Sequence, residues 1–110
     1  MKYLCLVYLE RDKFTAVPDR ECMNCGQDLQ NRGLLLAAEP LFGGETAKTV
    51  RVRNGKVAIT DGPFAETKEQ LAGFYLVDAA NEEEALKIAS QIPPARAGSI
   101  EVRPVRELNP

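Results

Sequence analysis

Histidine is absent from this chain of 110 residues, and cysteine occurs only three times. Zinc sites in proteins use cysteine, histidine and carboxylate ligands, and structural sites almost always use four of them. Cys22 and Cys25 form a C-x-x-C pair, and Cys5 is the one further thiol. The sequence therefore predicts no metal site and no cofactor, and it leaves no imidazole for acid–base catalysis.

The C-x-x-C pair also lacks the context of a redox site. Redox-active pairs lie at the start of a helix that follows a strand. Here Cys22, Cys25, Gly26 and Leu29 recur at helical spacing, which is typical of one face of a helix. We interpret the two cysteines as small residues that face a core. An odd cysteine count without a recognisable secretion signal favours reduced thiols, so we expect a cytoplasmic protein.

Long apolar runs and an excess of one charge are missing as well. The longest apolar run covers residues 4–9, whereas a transmembrane helix needs about 20 apolar residues. The 14 basic and 16 acidic residues give a net charge of −2, which offers no electrostatic footprint for DNA or RNA. We therefore expect neither a membrane span nor a nucleic-acid partner.

The patterns that are present predict one α+β domain over residues 1–104, followed by a tail over residues 105–110. Apolar runs indicate strands and apolar stripes at helical spacing indicate helices. The predicted order is strand, helix, strand, hairpin, strand, helix, strand. These elements fall at residues 3–9, 18–32, 34–41, 49–60, 73–79, 81–92 and 99–103.

The hairpin is the clearest local prediction. Asn54-Gly55 suits a two-residue type I′ turn, which fixes the register of the two strands. Arg53 then lies opposite Lys56. The next cross-strand pairs are Val52 with Val57, Arg51 with Ala58 and Val50 with Ile59. One face of the hairpin is aliphatic and the other is cationic. The aliphatic face contains Val50, Val52, Val57 and Ile59, and the cationic face contains Arg51, Arg53 and Lys56.

This order predicts a ferredoxin-like βαββαβ sandwich with an added β-hairpin, because two right-handed crossovers place both helices on one face. The strands at residues 3–9 and 73–79 are apolar on both faces. Two helices cannot cover both sides of such a sheet. Covering the open side would gain several kcal/mol at about 25 cal/mol per Å². We therefore expect a two-fold homodimer whose sheets pack face to face.

Three segments carry a resemblance to a known family. They are Ile59-Thr60 with the following Asp61-Gly62-Pro63-Phe64 loop through residue 69, Gly73-Phe74-Tyr75-Leu76, and residues 92–104. Together with residues 1–8 they resemble the YCII-related (DGPF) family. The resemblance implies the dimeric α+β barrel superfamily. Some relatives carry a His–Asp pair proposed as catalytic, a mechanism that does not transfer to a chain without histidine.

The loop over residues 60–70 is the candidate site, since charged loops between buried strands often present function. Asp61 is the candidate catalytic residue, a general base or hydrogen-bond acceptor that we expect to be partly buried. Arg51 or Lys68 would hold an anionic ligand. The further candidates are an apolar wall of Phe64 and Tyr75, and three carboxylates that could share a proton or a cation, Glu39, Glu66 and Glu69.

Each candidate also has a purely structural interpretation. Asp61 would form an Asx-turn, Phe64 would plug a core or a dimer interface, and the charges would form surface ion pairs. Two main functions therefore remain open, with a redox or zinc role for Cys22 and Cys25 as a distant third. The first is a homodimer that binds, or acts on, a small molecule at this loop. The second is a non-enzymatic regulatory or interaction module, which the resemblance supports because DGPF domains are reported beside alternative sigma factors.

Overall fold

The structure is a computed structural model that describes residues 1–109. It contains six strands and two α-helices, with short 3₁₀ turns between some of them. In chain order the elements are β1 (Lys2–Glu10), α1 (Asp19–Asn31), β2 (Leu35–Pro40), β3 (Lys48–Arg53), β4 (Lys56–Asp61), β5 (Glu69–Asp78), α2 (Glu82–Ser90) and β6 (Ser99–Pro104).

Four strands form one antiparallel sheet in the order β2-β5-β1-β6, while β3 and β4 form a separate two-stranded sheet. Without the inserted hairpin, the four-stranded sheet has the strand order of a ferredoxin-like fold. The predicted fold class is confirmed. Each β-α-β unit skips one position in the sheet, which leaves β1 and β5 at its centre.

The core lies between this sheet and the two helices. Tyr3, Cys5, Val7 and Leu9 alternate along β1, and none is more than 4% exposed. Leu29 of α1 packs against them, and so does a stripe from α2 and the residues after it, Ala85, Ile88, Ala89 and Ile92. An apolar stripe at helical spacing thus covers every second residue of the central strand.

The other face of the sheet carries the alternate residues of the same strands. Leu4, Leu6 and Tyr8 of β1 and Phe74 and Leu76 of β5 are only half-buried. Both helices pack on the opposite face. The expectation that the central strands are apolar on both sides, with helices on one side, is therefore confirmed.

Local signals at the helix ends are also confirmed. The Asn81 side chain accepts a hydrogen bond of 2.9 Å from the Glu84 backbone N–H. The Glu84 carboxylate accepts one of 3.3 Å from the Ala80 N–H, which gives an arrangement close to a capping box. At the end of α1, Gly33 adopts a φ of 73°, the left-handed conformation predicted for it.

One boundary differs from the prediction. Strand β5 begins at Glu69, four residues before the predicted start at Gly73. Its first residues pair with the end of β1, Glu69 opposite Glu10 and Leu71 opposite Tyr8, after a shift of register. The sequence pattern does not predict this extension, because its first residues, Glu69 and Gln70, are polar and pair with β1 beyond the apolar part of β5. The loop after the hairpin therefore covers only residues 62–68.

The hairpin formed by β3 and β4, called here the hairpin arm (residues 48–61), extends away from the rest of the chain, called here the body. Its predicted register is confirmed, with Arg53 opposite Lys56 and Val50 opposite Ile59. Within residues 1–109, β3 and β4 pair only with each other. The radius of gyration is 15.6 Å, against about 13 Å for a compact domain of ~100 residues.

The chain after β6 stays close to β1, since the Val105 N–H donates to the Lys2 carbonyl at 2.9 Å. The predicted tail ends at Pro110, which lies outside the described residues. Among the residues that are described, no helix combines the length and the apolar character that a membrane crossing requires.

Candidate functional site

A groove of about 1040 Å³ lies between the hairpin arm and the adjoining end of the main sheet. Its two sides differ in chemistry. The hairpin arm supplies the cations Lys48, Arg51 and Arg53. The body and the two loops that join it to the arm supply an apolar side made of Tyr8, Leu41, Phe42, Pro63, Phe64 and Leu71.

Two phenylalanines dominate the apolar side. Phe42 is 88% exposed and Phe64 is 79% exposed, although large aromatic side chains are normally buried. Phe42 follows β2, and Phe64 follows the turn at Gly62-Pro63. Exposed apolar groups that line one concave surface are typical of a binding site.

Backbone hydrogen bonds fix the loop that carries Phe64. The Gly62 N–H donates to the Ala47 carbonyl at 2.7 Å. The Thr49 hydroxyl donates to the Gly62 carbonyl at 2.8 Å. Gly62 has a φ of 90°, a conformation that residues with a Cβ rarely adopt. The glycine therefore allows the chain to turn sharply out of β4 and to place Pro63 and Phe64 along the groove.

The base of the groove is held by contacts between the loop after β2 and the start of β5. The Gly44 N–H donates to the Gln70 side-chain oxygen at 3.3 Å. The Leu41 N–H donates to the Ala72 carbonyl at 2.8 Å. Because β5 begins at Glu69, Gln70 lies next to Gly44. The hydrogen bond between them joins two segments that are distant in sequence at one end of the sheet.

The cations of the groove are not neutralised equally. Lys48 forms an ion pair with Asp61, its partner across the hairpin. Within residues 1–109, no carboxylate lies within ion-pair distance of Arg51 or Arg53. Two guanidinium groups at a mainly apolar groove create a site suited to a carboxylate, sulfonate or phosphate.

Of the predicted site residues, Arg51 and Phe64 line the groove. Asp61 does not line it directly, but its ion-pair partner Lys48 does. The expectation that Asp61 is partly buried is wrong for the single chain, because its side chain is 88% exposed. Its position at the end of the hairpin arm explains this exposure, since only Lys48 lies across from it.

Lys68 and Glu69 connect the end of the loop to neighbouring strands. Lys68 Nζ lies 3.3 Å from a carboxylate oxygen of Glu10. Glu69 accepts a hydrogen bond of 2.6 Å from the Ser99 hydroxyl of β6. The structure therefore places both residues at the edge of the body, where neither lines the groove.

Glu39 and Tyr75 are also separate from the groove. Glu39 is exposed on β2 and lies opposite Phe74. Tyr75 is 7% exposed on the helix-covered face of the sheet. Its hydroxyl donates to the Cys22 carbonyl at 3.4 Å, and burial raises its pKa. The structure thus keeps Tyr75 apart from Phe64, because the alternation of β5 turns it toward the helices.

The cysteines lie in the same helix-covered layer. Cys25 packs against the core, as the helical spacing predicted. Burial raises the pKa of the Cys22 and Cys25 thiols, whereas redox-active cysteines have lowered values. Burial also raises the pKa of Cys5 to about 11. Among residues 1–109, no group of three or more cysteine or carboxylate side chains is placed to hold a metal ion.

Sequence reasoning missed Phe42, Arg53 and Gln70 as groove residues. The sequence places Gln70 in the loop over residues 60–70 and Arg53 on the cationic face of the hairpin, and it assigns neither a role in binding. The one available signal was an apolar pair, Leu41-Phe42, placed directly before Gly43-Gly44. An aromatic residue at the start of a glycine-containing loop has no strand to bury it, which marks it as a candidate for a surface contact.

A ferredoxin-like α+β domain with a groove beneath an inserted hairpin is the class that these observations define. The model of the YCII-related domain matches residues 1–109, nearly the whole chain. The chain therefore belongs to the YCII-related domain family, which confirms the resemblance found in the sequence. It is also 50% identical over 66 residues to an uncharacterised protein of Rhizobium meliloti. That match covers 58% of this chain and 53% of the relative, about half its length.

Proposed function

We propose that the protein is a cytoplasmic homodimer that binds a small organic anion with an apolar body in the groove beside the Asp61-Gly62-Pro63-Phe64 loop. The observation that carries this proposal is the pairing of two exposed aromatic rings with two guanidinium groups across one groove. Such a site would take an aryl or alkyl chain on one side and a carboxylate or similar group on the other.

The apolar side supplies most of the binding energy in this proposal. Burying an aromatic side chain removes about 150–250 Å² from water. Phe42 and Phe64 are nearly fully exposed, so a ligand that covers both rings removes much of this apolar area from water. The arginines add direction and specificity, because a guanidinium can donate two parallel hydrogen bonds to one anionic group.

Binding is better supported than catalysis. Asp61 is exposed and paired with Lys48, whereas a general base usually lies in a desolvated site that brings its pKa near the working pH. In this proposal Asp61 positions Lys48 at the rim of the groove. Homodimer formation is supported by the half-buried apolar residues on the open face of the sheet, among them Leu6 and Phe74.

The test compares two fluorescent probes that differ by one anionic group, anilinonaphthalenesulfonate and the uncharged N-phenylnaphthylamine. We expect Arg51→Met to weaken binding of the sulfonate about 5–10-fold, from the loss of an exposed charge-assisted hydrogen bond. Binding of the neutral probe should change less than about twofold. Phe64→Ala should weaken both probes, because both use the apolar side.

Arg20→Met is the matched control, since Arg20 is an exposed arginine on α1, outside the groove and without an ion pair among residues 1–109. It should leave both affinities unchanged. Equal losses for the two probes in Arg51→Met would contradict an anion site, as would an equal loss of sulfonate binding in the control.

The second candidate function is a non-enzymatic interaction module in which the loop is a contact surface for protein. The exposure of Phe64, 79% in the single chain, favours this candidate as well. The two functions separate in one variant. Phe64→Ala should leave a ligand-binding homodimer assembled, whereas it should convert an assembly locked by this loop to monomer, as measured by sedimentation velocity.

A further inference from the structure

The aliphatic face of the hairpin arm has no partner within its own chain. Val50, Val52, Val57 and Ile59 are 56–66% exposed. They form two cross-strand pairs on one face of the two-stranded sheet. An isolated two-stranded hairpin is marginally stable in water and usually needs a further surface to pack against.

The two faces of the hairpin arm have different surroundings. Thr49, Arg51 and Arg53, which alternate along β3, all line the groove of their own chain. Of the four aliphatic residues only Val50 does so. Lys48 and Val50, at the base of the aliphatic face, also line the groove, whereas Val52, Val57 and Ile59 farther along the arm do not.

The exposed apolar area fits an interface with another protein. The four aliphatic side chains expose roughly 300–400 Å² of apolar surface, about half of the ~800 Å² that each partner contributes to a stable complex. The half-buried residues on the open face of the sheet add to this surface. Apolar patches of this size on a protein surface are often interaction sites.

The distribution of charge favours a second copy of this chain as the partner. Within the hairpin arm, Lys48, Arg51, Arg53 and Lys56 against Asp61 give +3. The whole chain carries −2, so the body carries −5. A second copy of this chain thus offers both an apolar sheet face and the opposite charge. Two arms packed on each other would instead place +3 against +3, which is unfavourable.

We propose that the hairpin arm is a dimerisation element. In the homodimer, the aliphatic face of each arm packs on the body of the second copy, with two-fold symmetry. This contact fixes the arm as the cationic wall of the groove in its own chain. The groove is therefore complete only in the dimer, and each copy needs its partner to hold Arg51 and Arg53 in place.

This inference rests on the proposed homodimer and its groove, and it adds a linkage between them. A ligand that binds the completed groove stabilises the dimer, and dimer formation raises the affinity for the ligand by the same factor. At equal concentration of protein, the sulfonate probe should lower the dissociation constant of the dimer.

The test uses a pair of cysteines at neighbouring positions on opposite faces of β4. Val57 is 65% exposed and Ala58 is also exposed in the single chain. Val57→Cys and Ala58→Cys are therefore similar in access, but Ala58 lies opposite Arg51, which favours a thiolate there, so each rate is compared with that of the same variant diluted to the monomer. Alkylation by iodoacetamide, read for each site by mass spectrometry, separates these cysteines from the native ones. Sedimentation velocity on the same samples gives the fraction of dimer.

We expect dimer formation to slow the alkylation of Val57→Cys at least about tenfold relative to its own monomer, because the partner covers the aliphatic face. The rate of Ala58→Cys should change less than about twofold between monomer and dimer. Equal slowing of the two variants, or no slowing of either, in a sample shown to be dimeric would overturn this packing of the arm. A chain that is monomeric at all concentrations would overturn it together with the homodimer.

Salt provides an independent measurement. Packing of an arm of +3 on a body of −5 predicts that the dissociation constant of the dimer rises severalfold between low and high ionic strength. A dimer that becomes tighter with salt would overturn arm-to-body packing. The probe titrations distinguish this failure from a failure of the binding proposal, since an insensitive Arg51→Met contradicts the anion site whatever the state of assembly.

Discussion

The body and the hairpin arm obey the same rule of alternation but reach opposite degrees of burial. In the body, alternate residues of β1 are almost completely buried under two helices. In the arm, alternate residues of β3 and β4 are equally apolar and remain mostly exposed. The difference shows that a strand pattern determines which residues share a face, whereas burial depends on what else is available to cover that face.

Two isoleucines test this difference most strongly. Ile88 on α2 is 2% exposed, while Ile59 on β4 is 66% exposed. Ile88→Ala should lower the free energy of unfolding by about 2–5 kcal/mol, because it removes buried methyl groups and leaves a cavity. Ile59→Ala should change it by less than about 0.5 kcal/mol when the chain is diluted to the monomer.

Urea denaturation of both variants provides the measurement. The proposed dimer predicts that Ile59→Ala becomes destabilising at concentrations where the wild type is dimeric, because the partner would then bury this side chain. Similar losses for the two variants in the monomer would show that the arm packs on its own body, against the exposure described for it.

The second prediction concerns pH and belongs to the body alone. Burial raises the pKa of Cys5 from 9.0 to about 11 in the folded chain. The thiol is therefore neutral in the folded state at pH values where the unfolded chain ionises. The resulting stability is fully present below pH 9 and is lost as the pH rises toward 11, with a total of about 2–3 kcal/mol.

Cys5→Val should reduce this slope of stability against pH, since valine keeps a similar volume and does not titrate. Urea denaturation at several pH values between 8 and 11, a range chosen from the Cys5 shift, measures the effect. Cys22→Val is the partial control, because that thiol is only half-buried. An unchanged slope in Cys5→Val would mean that other buried groups, such as Tyr75, carry the pH dependence.

The third prediction tests a local feature of the body. Asn81 caps α2 through its hydrogen bond to the Glu84 N–H. Asn81→Ala should lower the stability by about 1 kcal/mol, and Asn81→Asp should restore most of it because aspartate is an equally good cap. Thermal melting in near-neutral buffer provides the comparison. A loss in Asn81→Asp as large as in Asn81→Ala would contradict a capping role.

The features predicted correctly from the sequence are those set by nearby residues. The turn at Asn54-Gly55 fixed the register of the arm, and Asn81 with Glu84 fixed the start of α2. The features that were missed depend on contacts between distant segments. Glu69 joins β5 because β1 extends beyond its apolar part, and Gln70 reaches the groove only through its contact with Gly44.

The candidate site shows the same division. Arg51 and Phe64 were predicted to act together, and both line the groove. Tyr75 was grouped with them because it is close in sequence to the loop. In the sheet it is directed toward Cys22 and the helices, since the alternation of β5 outweighs closeness along the chain. Residues on a strand can be assigned to a site only after its covered face is known.

The smallest expected effect concerns the ion pairs of the two regions. Lys48 and Asp61 pair in the arm with exposed fractions of 62% and 88%, and Arg32 and Asp28 pair on α1 with 47% and 66%. Surface pairs of this kind contribute well under about 1 kcal/mol because solvent and salt screen them. Asp61→Asn and its control Asp28→Asn should therefore cost similar, small amounts in the diluted monomer.

Assembly should separate these two variants. In the proposed dimer the partner would pack on the arm and exclude solvent near its strands, which would strengthen electrostatic interactions there. Asp61→Asn should then strengthen sulfonate binding about twofold, because it frees Lys48 from its ion pair and removes a negative charge beside the groove, while Asp28→Asn should leave binding unchanged. A loss of more than about 1 kcal/mol for Asp61→Asn in the monomer would contradict a solvent-exposed pair, and with it the contrast between a buried body and an open arm.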